Sequence, residues 1–204
     1  MLSQHLITKP IFEALFSEYS FVNNNPVSSA MENIVKELEK AGFAKEQENL
    51  APLYESVKMR AEGVDNAKDK QEIIRILYQK FFNSSFEKIS KKMGIVYTPI
   101  EIVDFIIKST DKLLIRYFDK HLASENIHVL DPFTGTGTFI VRILEYLKKQ
   151  MESGEITLED ITRNFTKELH ANEIVLLSYY IAAINIESIF DEINGETLSY
   201  MPFN

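Results

Sequence analysis

The sequence contains no cysteine, which excludes a disulfide framework and any thiolate metal site. It also has no apolar run approaching the ~20 residues that cross a bilayer, so no membrane span is expected. The first stretch, MLSQHLITKPIFEALF, lacks a basic segment followed by uninterrupted apolar residues. No secretory signal is therefore expected, and a cytoplasmic setting is the default. An excess of positive charge is missing too: the formal net charge is −8, which argues against a surface coated with phosphate contacts. The balance is uneven along the chain. From Lys58 to Lys92 there are nine Lys and Arg against five Asp and Glu, a local charge of +4. Such a stripe is usually a solvated helix face and only a weak sign of nucleic acid contact. No internal repeat and no low-complexity tract occurs. The composition, 45% hydrophobic and 25% charged over 204 residues, is that of a soluble globular chain. It is long enough for one domain, or for a helical subdomain plus part of another.

Glycine is scarce, with seven residues in all, and two of them fall together. The stretch His128 to Ile140, HVLDPFTGTGTFI, predicts a short buried strand, His128-Val129-Leu130, ended by Asp131-Pro132. Gly135 and Gly137 then occupy a turn, and Thr138-Phe139-Ile140-Val141 opens a helix. Glycine tolerates positive φ and lets a ligand approach the backbone. A strand-to-helix junction points free N–H groups, at the positive end of a helix dipole, toward whatever lies above the strand. A nucleotide-type cofactor site and an ordinary βα turn both fit a bare GxG. The longer string DPFTGTGTF is more specific.

The first hundred residues are helical in pattern. Pro10 suits the first turn of a helix through Phe12, Leu15 and Phe16. Asn25-Pro26 repeats the device, with Met31, Ile34, Val35 and Leu38 on one face and Gly42 as the stop. A third helix runs from Pro52 to about Gly63. A fourth begins near Asp69 and carries Ile73, Ile74, Leu77, Phe81 and Phe82 before Phe86 to Ile89. Plain helix–helix core accounts for these stripes. Thr98-Pro99-Ile100-Glu101 matches a capping box with Pro99 in the first helical position, and the helix continues through Ile102, Phe105, Ile106 and Leu113 to about Asp119. That helix start could also hold a carboxylate at the Thr98 hydroxyl. After the glycine turn, a helix from about Thr136 to Met151 closes at Gly154. A short helix over 157–164 precedes a second strand, Lys167 to Ala171, ending at Asn172-Glu173. The nearly all-apolar run from Ile174 to about Ser188 predicts a helix packed on a sheet, and INGETLSYMPFN has loop character.

The order is therefore helices followed by βαβα, an α/β chain with the layout of a nucleotide-binding half sheet. In the dinucleotide version the ribose carboxylate lies ~20 residues beyond the glycines. Glu173 lies 36 residues beyond Gly137, which departs from that version and needs a longer intervening helix and loop.

Three strings together resemble the amino-methylating DNA methyltransferases, and within them the adenine-N6 enzymes of restriction–modification systems. Tyr97-Thr98-Pro99 is similar to the cofactor motif that precedes the glycine loop of this class. Asp131 to Phe139 is similar to its DPxxGxGxF loop. His170-Ala171-Asn172-Glu173-Ile174, with Asn185-Ile186-Glu187 closing the next helix, is similar to its ribose-binding segment. The upstream phrases ITKPIFEALF, NNPVSSAM and KQEIIRILYQKFF resemble the helical segment between helicase and methylase in large single-chain restriction–modification enzymes. The resemblance covers nearly the whole chain. It implies a helical coupler over 1–93 and, over 94–204, part of a Rossmann-like S-adenosylmethionine-dependent methyltransferase domain.

The resemblance also implies a set of site residues. Tyr97 belongs to the cofactor motif, and the Thr98 hydroxyl with nearby backbone would hold the methionine carboxylate. The Gly135 and Gly137 backbone would pass under the methionine moiety, within the loop formed by Pro132, Phe133 and Thr136. Asp131 would shape the turn or meet the ammonium group, Glu173 would accept the ribose hydroxyls, and Ile174 would press on adenine. No metal ligand set is implied. One departure is large. The transferring enzymes carry a loop of Asn or Asp, Pro-Pro and an aromatic residue that holds the flipped adenine, and no two prolines are adjacent here. The expectation is the cofactor half of a DNA methyltransferase, without a catalytic residue of its own and inactive alone. The alternative is a non-catalytic cofactor-binding or helical interaction module. DNA is expected to be met through a complete enzyme. A partner chain carrying the catalytic half, or self-association, would cover the unpaired edge of the sheet.

Overall fold

A computed structural model of the chain describes Leu2, His5, Leu6, Lys9, residues 25–40, Met59, residues 98–195 and Phe203, with Leu177 described by its backbone alone. The chain divides into two compact units, Met1–Gly94 and Ile95–Asn204. Several expected features lie outside the described residues: the helix at Pro10, the Gly42 stop, the helices from Pro52 to Ile89 with their basic stripe (Met59 apart), and Tyr97.

In the first unit, helix α1 spans Pro26–Lys40. Asn25 starts it as anticipated: its side-chain Oδ1 accepts the Ser28 N–H at 3.0 Å and its carbonyl accepts the Ser29 N–H at 2.9 Å. These bonds satisfy two of the donors that a helix start leaves open. Of the four apolar residues expected on one face, Val35 is buried while Ile34 is 47% exposed. Ile34 and Val35 lie ~100° apart, at the two margins of a stripe about that wide, and the Ile34 margin is the one left open.

The second unit holds the glycine turn. Helix α2 spans Ile100–Phe118 and begins one residue later than the capping box requires. Pro99, with φ −55° and ψ 140°, is the cap, and no side chain bonds the first turn. The extended ψ of Pro99 turns its carbonyl to accept the Ile102 and Val103 N–H groups at 3.0 and 3.1 Å. Thr98 is thus left one position outside the helix, and Glu101 one position too early to bond back to it. Val103, Ile107 and Asp111 form the buried stripe of α2. The apolar residues on the other side stay exposed, Phe105 at 70%. A helix apolar on two sides does not reveal from its period which side the core will take.

Strand β1 is Val129–Asp131, helix α3 is Thr138–Glu152 and short helix α4 is Leu158–Arg163. A capping box of Thr157 and Asp160 opens α4. One π-helical turn, Asn164–Glu168, leads into strand β2, Leu169–Ala171. That turn takes the first two residues of the expected strand, which is therefore three residues long. Helix α5 runs Leu176–Asn194, six residues past Ser188, and ends where Gly195 adopts φ +69°. Among the described residues, β1 and β2 form a two-stranded parallel sheet with Val129, Leu130 and Asp131 opposite Leu169, His170 and Ala171.

The chain is thus α/β but mostly helical, with a small sheet. Ile140, Leu144 and Leu147 of α3 are fully buried in one core with Val103 of α2, Phe165, Leu169, and Ile186 and Phe190 of α5. Phe165 stacks on Phe190 with centroids 3.9 Å apart. The expected buried strand is observed only in part: Val129 packs on the core, but Leu130 is 63% exposed. With one partner strand and residues alternating between faces, Val129 packs on the core while Leu130 faces away. No described helix is long and apolar enough to cross a membrane.

Candidate functional site

The turn begins where β1 ends. Asp131 folds back on it, its Oδ1 accepting the Phe133 N–H at 3.2 Å, the local bond by which Asp favours turns. Its carbonyl accepts the Thr134 hydroxyl at 3.0 Å and the Asn172 N–H at 2.9 Å. Asn172, just past β2, returns a carbonyl to the Thr134 N–H at 3.1 Å and donates its side-chain amide to the Pro132 carbonyl at 3.2 Å. The parallel pairing of two three-residue strands is thereby carried on into the loop.

Gly135 and Gly137 both adopt left-handed backbone, with φ +58° and +87°. Gly137 caps α3: its N–H donates to the Thr134 carbonyl and its own carbonyl accepts from Val141, each at 2.9 Å. A Cβ on Gly137 would lie 3.2 Å from the Ala182 Cα and from the Ile186 Cγ1. A Cβ on Gly135 would meet nothing within 4 Å. Thr136 is tied to α5 through its carbonyl, which accepts the Asn185 side-chain amide at 3.0 Å.

Glu173 closes the turn from the other side. Its Oε2 accepts the Gly135 N–H at 2.8 Å and its Oε1 accepts the Val175 N–H at 2.7 Å. These two donors fix the carboxylate in place, and each oxygen keeps a second lone pair to offer. Asp131 is close enough to Glu173 to feel its charge. Burial, and secondarily the neighbouring carboxylate, push the Asp131 carboxyl above its ordinary range, against the Phe133 N–H, which lowers it. The Asp131 Oδ2 is buried with no hydrogen-bond partner among the described residues. A buried carboxylate oxygen without a donor is costly, and a cation arriving at that oxygen would relieve the cost.

The remaining expected residues divide. Phe133 is 89% exposed and Ile174 78% exposed, the one in the glycine turn and the other next to Glu173. Pro132 contributes its carbonyl to Asn172. Thr98 is exposed, and among the described residues no hydrogen bond joins it to the turn. The structure therefore brings Asp131, Gly135 and Glu173 together and does not bring Thr98 to them by a direct bond. Two residues quoted within the motif strings were given no role of their own from sequence: Thr134, which is buried in the turn, and Asn185 of α5. A hydroxyl residue three positions after Asp131 is a local signal for Thr134. For Asn185 the signals are an amide in an apolar helix and its place in the Asn185-Ile186-Glu187 string, neither of which points to Thr136. A separate cavity between α2 and α3 is lined by Asp104, Arg142, Tyr146 and Gln150 and shares no residue with the turn.

Comparison with known proteins places this geometry. Residues 1–69 match the family model described as the coupler domain of Type ISP restriction-modification enzymes. Residues 69–201 match that of the N-6 DNA Methylase. Among solved structures, the chain resembles a nuclease-deletion mutant of the Type ISP restriction-modification enzyme LlaGI in complex with a DNA substrate mimic, with 72% identity and a TM-score of 0.88. It also resembles the ATP-dependent Type ISP restriction-modification enzyme LlaBIII bound to DNA, with 73% identity and a TM-score of 0.88. A DrdV–DNA complex is 30% identical with a TM-score of 0.80. All of this chain is covered in each comparison, but only 16%, 13% and 19% of those chains respectively. A comparison with curated proteins returned no match. With 133 of its 204 residues within the methylase match, the chain belongs to the N-6 DNA methylase family.

Proposed function

We propose that this chain is the S-adenosylmethionine-binding part of a site-specific adenine-N6 DNA methyltransferase of a restriction–modification system. On this reading, residues 94–204 are the cofactor-binding region, part of a Rossmann-like methyltransferase sheet, and residues 1–93 are a helical coupler. The observation that carries the proposal is the pair of carboxylates at the glycine turn, one of them with a buried oxygen that has no donor among the described residues. S-adenosylmethionine offers what this pair lacks: an ammonium group for the Asp131 Oδ2 and vicinal ribose hydroxyls for the free lone pairs of Glu173. Ile174 and Phe133 would supply apolar surface to the adenine ring and its surroundings. Tyr97 and Thr98 would serve the methionine carboxylate. When bound, the cofactor supplies a methyl group on a sulfonium centre.

The chain is proposed to transfer no methyl group alone, because it has no Pro-Pro loop to hold an extruded adenine. That loop would come from a further segment or partner chain, and DNA would be met by the complete enzyme in the cytoplasm. The outer edge of the two-stranded sheet would be covered by that partner or by self-association.

Titration calorimetry of the 204-residue chain with S-adenosylmethionine tests the reading. Saturable one-site binding is expected. Glu173→Ala should weaken S-adenosylmethionine and adenosine by about tenfold or more, the worth of hydrogen bonds to a charged group, while leaving free methionine nearly unchanged. Equal loss for all three ligands would remove the ribose role from Glu173. Absence of binding by the unaltered chain would remove the proposal.

A further inference from the structure

The proposed cofactor contacts give no work to Asn185, yet its amide reaches the second half of the turn from α5. The geometry points to Asn185 as a positioning residue that selects one orientation of the Thr136–Gly137 peptide. A peptide plane that precedes glycine is easily turned over, because glycine accepts positive and negative φ alike. Here the plane is held with its carbonyl toward α5, where the Asn185 Nδ2 donates at 3.0 Å, and with its N–H toward the Thr134 carbonyl at 2.9 Å. Turning it over would break both bonds and leave the Asn185 amide without its acceptor.

The same helix face supplies the surface beneath. Ala182 and Ile186, three positions before and one after Asn185, are the residues a Cβ at Gly137 would strike. Asn185 therefore adds a directional bond where packing alone sets only distance. Across the turn, the carbonyls of Asp131, Pro132, Thr134 and Thr136 all accept hydrogen bonds from the protein itself. With these carbonyls occupied, the turn is held in one shape, and the carboxylates of Asp131 and Glu173 remain the acceptors offered to the proposed cofactor. This consequence for binding rests on the S-adenosylmethionine reading; the orientation of the peptide does not.

The test is the amide spectrum of the turn together with cofactor titration, in the full chain. Asn185→Asp keeps the shape but places an acceptor against an acceptor. It is expected to shift the Gly137 and Gly135 amide resonances, to speed Gly137 amide exchange about tenfold, and to weaken S-adenosylmethionine about tenfold, the loss of one net hydrogen bond. Ile193→Val, a packing change further along α5, should lower the melting temperature without moving those resonances. Unchanged Gly135 and Gly137 amides in Asn185→Asp would overturn the inference, as would the same shifts in Ile193→Val. Should Asn185→Asp not fold, Asn185→Ala is read by the same resonances, and an unaltered Gly137 amide again overturns it. If the unaltered chain binds no S-adenosylmethionine while Gly137 still responds to Asn185→Asp, the cofactor reading fails and the positioning role stands.

Discussion

The two halves of the glycine turn each end in Thr-Gly and are surrounded differently. The first, Asp131 to Gly135, is held by the end of β2 and by Glu173, and a Cβ on Gly135 would enter open space. The second, Thr136 to Gly137, lies against α5, and a Cβ there would press on the Ala182 Cα and carbonyl at 3.2 and 3.3 Å. Both glycines have positive φ, so backbone conformation alone does not separate them. The surroundings do: Gly137 is glycine so that a helix can approach, and Gly135 is glycine where the turn opens outward. A motif that reads as one unit thus divides into an anchor and a rim.

Substitution should expose that division. Gly137→Ala carries the largest expected effect. The strain of positive φ and the unyielding α5 backbone together should cost about 3 kcal/mol, read as a lower midpoint in urea. A cost no larger than that of Gly135→Ala would break the comparison. Gly135→Ala meets only the conformational penalty, about 1 kcal/mol, and should fold. Its signature should instead be weakened S-adenosylmethionine binding, because the new methyl group stands in the open space of the rim. Unaltered affinity in a folded Gly135→Ala chain would deny the rim its ligand role.

The smallest effect is expected on the anchor side, at Asp191 in the last turns of α5. Burial raises its carboxyl from 3.8 to about 6. A folded pKa above the unfolded one means that the folded state disfavours the ionised form. The penalty is full above pH ~6, shrinks as pH falls through that value, and is gone below the unfolded pKa. Asp191→Asn should therefore raise the melting temperature by ~2 °C near neutral pH, with the advantage fading toward about pH 4. An advantage that grows on acidification would contradict that account. Cofactor affinity should be little changed, since Asp191 is not among the turn residues.

Much of the second unit was legible from sequence, because glycines and apolar periods speak locally. The strand–turn–helix at Asp131 to Thr138 and the stop at Gly154, like the capping device at Asn25 in the first unit, rest on backbone preferences of single residues, whereas the end of α5 at Gly195 lies past the Ser188 expected. What escaped depends on backbone geometry and side-chain networks that residue types alone do not fix. Thr98-Pro99-Ile100-Glu101 has the right letters for a capping box, but the extended ψ of Pro99 makes that residue the cap and leaves Thr98 outside. The π-helical turn at Asn164–Glu168 is held by the Glu168 carboxylate, whose partners include Asn126, Arg163 and Asn164. No periodicity announces such a network. The exposure of Leu130 follows from which sheet face receives helices.

At the site, the acidic residues could be named but not their state. That Glu173 holds the Gly135 N–H, and that the Asp131 Oδ2 has no donor among the described residues, are properties of the assembled turn. The tie between Asn185 and Thr136 spans 49 residues. Its two ends carry no pattern that would pair them.

The most direct test of the anchor-and-rim account is to follow the backbone amide resonances of the chain while S-adenosylmethionine is added. The account predicts that the largest shifts gather at Phe133, Thr134, Gly135, Glu173 and Ile174, with Gly137 and the α5 residues beneath it moving little. Shifts centred instead on Asp104, Arg142 and Gln150 between α2 and α3, or no saturable shift at all, would contradict it.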